Sequence, residues 1–126
     1  MSPRLAPAAG PLIQVFGRED SSETRAALRF FKERRLTVQL IDLRRKPIAA
    51  GELRRFVEGL GAAALADTAG RAWTDAGLGY LRMTPDELAA RLLVDQRLLL
   101  LPLVRVGSGV AAGRDEAAWK RLLAGS

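Results

Sequence analysis

The chain has 126 residues, 48% apolar and 27% charged, and its Lys and Arg exceed its Asp and Glu to give a net charge of +6. That length supports one domain with its own buried core, without metal or disulfide staples. The sequence contains neither Cys nor His, which excludes disulfides, thiol catalysis, thiolate or imidazole metal ligation and histidine acid–base chemistry.

The positive charge permits contact with nucleic acid or another polyanion. Most of it is Arg, set among abundant Ala, Leu and Gly, a composition that a GC-rich genome also produces. Direct nucleic-acid binding is therefore not expected. No apolar run approaches the ~20 residues of a membrane span, and the stretch from Met1 to Pro11 lacks the apolar centre of a signal peptide. The expectation is a soluble cytoplasmic protein with no membrane contact, residues 1–11 being a flexible tail and 12–126 a single domain.

Leu12-Ile13-Gln14-Val15-Phe16 reads as a buried strand bounded by Pro11 and Gly17. A polar turn follows, then a helix through Phe31, with Asp20 as the expected N-cap and Glu23 completing a capping-box pattern. In that helix Thr24, Ala27, Leu28 and Phe31 share one face, and Arg25, Arg29 and Lys32 share a solvated one. A strand running into a helix N-terminus presents free backbone N–H groups and the positive end of the helix dipole. Ser21, Ser22 and Arg25 at that turn are candidate anion-binding residues.

Leu36 to Leu43 alternates as a second strand, so strand, helix and strand form a parallel βαβ unit. Arg44-Arg45-Lys46-Pro47 closes it with a basic loop open to a phosphate or an acidic partner. Residues 49–60 form a helix with Leu53, Phe56, Val57 and Leu60 inward, and residues 62–80 are short turns with Trp73 and Tyr80 as expected anchors. Thr84-Pro85-Asp86-Glu87 is a helix start with Thr as cap and Pro at the first helical position. The run Leu98 to Val106, then Gly107-Ser108-Gly109, then Val110 to Gly113 suggests a hairpin, with Pro102 suited to the beginning of its strand. Asp115 caps a last helix through Leu123.

The resulting order is β-α-β, a helical insertion over about 48–97, then β-β-α. Over residues 12–124 the sequence resembles the ArsC/Spx family of the thioredoxin-like (glutaredoxin-type) α/β fold, which contains arsenate reductases and redox-responsive transcription regulators. The resemblance lies in Val15-Phe16-Gly17 with Arg25-Ala26-Ala27-Leu28, and in Ile41-Asp42-Leu43-Arg44-Arg45-Lys46-Pro47-Ile48. It continues in Leu60-Gly61, Gly70-Arg71-Ala72-Trp73 and Thr84-Pro85-Asp86-Glu87-Leu88, then in Asp95 to Val104 and in Gly113-Arg114.

The resemblance implies a mixed sheet and a proline strand at Pro102. It also implies that Ser21 stands where family enzymes carry the redox cysteine, and Thr24 where the regulators carry a second one. Arginines that hold the oxyanion in the reductases correspond here to Asp67, Leu101 and Arg114. The implied residual site is Ser21, Ser22, Arg25, Pro102 and Arg114, with no metal and no cofactor. The implied function is a non-catalytic binding or regulatory domain. RNA polymerase, through its alpha subunit, is a partner by analogy with the Spx-like regulators; the alternative is residual glutathione or oxyanion binding.

Overall fold

The computed structural model describes residues 11–125, and the expected tail lies, except for Pro11, outside the described residues. A four-stranded sheet forms the centre, in the order β2-β1-β3-β4. Its strands are β1 (Ile13–Gly17), β2 (Val38–Asp42), β3 (Leu103–Val106) and β4 (Gly109–Ala112). β1 pairs parallel with β2 and antiparallel with β3, and β3 with β4 is the hairpin that the glycines predict. The helices are α1 (Ser22–Glu33), α2 (Ala50–Leu60), α3 (Arg71–Asp75), α4 (Pro85–Val94) and α5 (Glu116–Ala124).

Strand alternation divides the apolar residues between two cores. Ile13 and Val15 of β1, with Val104 and Val106 of β3, face α1 and α5, where Phe30, Phe31 and Trp119 meet edge to face or tilted. Phe16 and Leu103 face the opposite way, against Leu53 and Phe56 of α2 and Leu92 of α4, and Phe16 meets Phe56 edge-on at 5.6 Å. Trp73 is half-buried against this second core. Both faces of the sheet are thus covered, which is the layering expected of the βαβ and ββα units together.

Two expectations are corrected. Tyr80 is 95% exposed and anchors nothing, because Gly77 takes the left-handed conformation (φ 68°) and the short 3₁₀ turn Leu78–Tyr80 that follows points Leu78 inward instead. Asp20 is not the cap of α1. Ser21 is, its Oγ accepting the Thr24 N–H at 3.1 Å, while the Asp20 carboxylate is drawn away by Arg18 at 2.9 Å and Arg44 at 3.5 Å.

The other caps fall where expected. Thr84 and Glu87 exchange both bonds of a capping box, and Asp115 Oδ1 accepts the Ala118 N–H at 3.0 Å. The peptide bond between Leu101 and Pro102 is cis, and Pro102 immediately precedes β3.

Leu92 is fully buried where α4 meets the core beneath the sheet. Leu92→Ala should lower the unfolding free energy by about 2–5 kcal/mol, the range for a buried leucine truncated to leave a cavity. Urea titration of the two proteins measures it.

Candidate functional site

The turn between β1 and α1 is fixed from below by α1 itself. Gly17 lies against Thr24, close enough that a methyl group in its place would overlap the Thr24 hydroxyl. Thr24 is wholly buried and its Oγ1 accepts the Arg18 N–H at 3.2 Å. From the side, the buried Asp42 carboxylate accepts the backbone N–H of Glu19 at 3.4 Å and that of Arg44 at 2.9 Å. It also receives Arg44 Nη2 at 3.0 Å. Chiefly through the Arg44 guanidinium, these donors hold the Asp42 carboxyl far below the usual carboxylate range.

Above the turn opens a cleft of about 590 Å³ built from three separate segments. Arg18, Asp20, Ser21, Ser22 and Glu23 form one wall, and Asp67, Arg97 and Leu99 to Leu101 the other. The second wall is held together by backbone bonds of 2.8 Å, from Asp67 N–H to the Leu98 carbonyl and from Leu100 N–H to the Leu65 carbonyl.

Ser21 and Ser22 therefore do line a cleft together, at the first turn of α1. Asp67 and Leu101, which stand at positions where the resemblance implies arginine, line it as well. Arg25 does not: its Nη1 donates to the Glu19 carbonyl at 2.9 Å and braces the outside of the turn. Pro102 is buried behind the cleft wall, its carbonyl accepting the Gly113 N–H at 2.9 Å. Arg114 is exposed and lies outside the cleft lining, near enough to attract the Glu23 carboxylate.

Sequence reasoning missed Arg18, Asp20, Glu23 and Arg97 as cleft residues. Their signal is local: Arg18 with Asp20, and Asp95 with Arg97, are opposite charges two residues apart in turns. Both pairs close through two hydrogen bonds, at 3.0 and 2.9 Å for Arg18 and at 2.9 and 2.8 Å for Arg97. Each arginine in the cleft lining is thereby already engaged by an aspartate. Those partners lower the carboxyls of Asp20 and Asp95 below their ordinary values.

Glu23 puts a carboxylate in the first turn of α1, at the helix end that favours negative charge. Its carboxylate receives the Ser22 hydroxyl at 2.8 Å and, more loosely, the Ser21 hydroxyl at 3.5 Å. The Ser22 hydroxyl first, then its own backbone N–H, keep its carboxyl below the usual value. Asp20, Glu23 and Asp67 thus face Arg18 and Arg97, so the lining carries more acid than base.

A thioredoxin-like domain of the arsenate-reductase type, with serine heading its first helix, is the class that this fold and turn define. The chain belongs to the ArsC family, whose sequence profile matches residues 16–122. Solved structures agree with the fold. An ArsC-family-related protein from Bacteroides fragilis is 20% identical at a TM-score of 0.79, the match covering 87% of this chain and 96% of that one. An arsenate reductase from Vibrio cholerae is 18% identical at 0.77, covering 89% and 98%. A possible arsenate reductase from Streptococcus mutans is 22% identical at 0.73, covering 89% and 98%. No curated protein matches the sequence.

The Asp42 carboxyl is depressed on folding, so its contribution to stability is full above the ordinary carboxylate value of 3.8 and fades as pH falls below it toward the folded value. Asp42→Asn should therefore be less stable than wild type at neutral pH, with the gap closing under acid; thermal melts across that range measure it. Glu23→Gln removes the internal anion from the helix end. It should gain weak, salt-sensitive phosphate binding, read as amide shifts of Ser22 to Thr24 in nitrogen-15 spectra, whereas the wild type shows none.

Proposed function

We propose that this chain is a non-catalytic member of the ArsC family that acts as a binding or regulatory domain. The observation that carries the reading is the absence of cysteine from the whole sequence; by the resemblance, Ser21 stands where the family's enzymes hold theirs. Arsenate reduction through a sulfur adduct needs a thiolate that a second thiol later releases. A serine hydroxyl has neither that acidity nor that redox chemistry, and no histidine exists in the chain to activate it.

The cleft's charge supports the same reading. Each charge-assisted bond to an oxyanion is worth roughly 1.5–3 kcal/mol, and here the arginines lining the cleft spend theirs on Asp20 and Asp95. A regulatory domain needs a macromolecular partner, and the Spx-like resemblance supplies one by analogy, the alpha subunit of RNA polymerase.

Incubated with arsenate, glutathione and glutaredoxin, the protein should give no arsenate-dependent glutathione oxidation. Ser21→Cys should acquire a thiol that reacts with Ellman's reagent and still turn over no arsenate; turnover by the wild-type chain overturns the reading. The immobilised C-terminal domain of the polymerase alpha subunit should retain the protein at low salt. Failure there removes that partner and leaves the lost catalysis standing. Heat on titration with glutathione would favour the residual-ligand alternative.

A further inference from the structure

The outer edge of the sheet carries a separate surface. β2 is an edge strand, and among the described residues no other strand pairs with its outer side. Leu43 N–H bonds the Gly17 carbonyl at 2.8 Å, so Leu43 faces β1. By the two-residue repeat Gln39 and Ile41 face β1 as well, leaving Val38 and Leu40 to turn both their N–H and C=O groups outward. The side chains of Val38, Leu40 and Ile41 are only partly buried, so a further strand would cover them.

Edges of this kind are commonly guarded by an inward charge, a proline or a bulge. β2 has neither a proline nor a bulge, and its inward charge stands only at its last residue. Its register with β1 is continuous, and its only charge, Asp42, is turned in to Glu19 and Arg44.

What guards the edge lies just beyond its ends. Arg35 precedes it, and Arg45 and Lys46 follow, all exposed and all outside any ion pair among the described residues. Beside the C-terminal end lies a depression of about 270 Å³ lined by Leu40, Ile41, Arg45 and Lys46 and also by Glu19 and Asp42, of which Asp42 is already engaged by Arg44. A second copy pairing antiparallel about a two-fold axis would bring Arg45 and Lys46 against the copy's Arg35, which like-charge repulsion opposes. An acidic strand meets the opposite sign at both ends.

We propose that the β2 edge is a docking site for an extended acidic segment of another protein, added to the sheet as a fifth strand beside Val38 and Leu40. Backbone bonds from those two residues supply the pairing, and Arg35, Arg45 and Lys46 select the charge. The inference needs neither the cleft nor the missing cysteine, so it stands or falls apart from the loss of catalysis.

The probe is a fluorescein-labelled peptide, Asp-Glu-Val-Thr-Val-Thr-Val-Glu-Asp with blocked ends, titrated against the full chain by anisotropy. Saturable binding that weakens with salt is expected, with slowed hydrogen exchange at the Val38 and Leu40 amides. Arg45→Glu with Lys46→Glu, both at exposed positions, should weaken it about tenfold or more. A copy of the peptide N-methylated at alternate residues keeps the charge and loses strand pairing, so it should not bind. Equal binding by that copy, or by a lysine-flanked peptide, would overturn the proposal, as would absence of saturable binding or protection elsewhere in the chain.

Discussion

Everything at the top of this molecule depends on the carboxylate of Asp42. It stands at the end of β2, nearly out of water, and accepts hydrogen bonds from the Glu19 and Arg44 backbones and from the Arg44 side chain. A buried charge is tolerated only when it is so satisfied. Once it is, the turn after β1 and the loop after β2 are tied to one another across the parallel pair. The Thr24 hydroxyl does the same from within α1, and Gly17 is small because it must be. The helix N-terminus is therefore held by the Asp42 carboxylate and the Thr24 hydroxyl from two sides, with Ser21 capping it.

The cleft above that turn obtains its electrostatic character from a short-range device used repeatedly. Arg18 with Asp20, Asp42 with Arg44, and Asp95 with Arg97 are each two residues apart, and each forms its pair within a single turn. The pairs fix loops, and in doing so they commit guanidinium groups that a site for phosphate-like ions would use. Glu23 then supplies the negative charge that the helix end favours. The pocket is preorganised around its own acids, and what it shares with the arsenate reductases of known structure is the fold.

Most of the architecture was readable because its signals are local. Thr84 and Glu87 lie one turn apart, and the glycines of the β3–β4 hairpin sit between two apolar runs. The cap of α1 was misread because Asp20 and Ser21 are both good caps. Arg18 decides between them by closing on the Asp20 carboxylate through two hydrogen bonds, and Arg44 adds a longer contact from the neighbouring loop. The cleft was only half legible because its walls come from distant segments: Ser21 and Ser22 belong to one, but Asp67 reaches them only through its backbone bond to Leu98. The outward turn of Tyr80 depends on the backbone at Gly77, where the residue type permits either hand. The edge at β2 was visible as alternation, but its position outside the sheet is a property of strand order.

Packing on two sides of one sheet also distributes the aromatic chromophores. Trp119 lies in the layer with α1 and α5, wholly out of water, and its indole N–H finds no acceptor among the described residues. Trp73 sits against the other layer and remains half-exposed. These are the only tryptophans in the chain. Their fluorescence therefore separates by wavelength, the blue component from one face of the sheet and the red from the other. Loosening of either layer can be followed in the native protein without a label.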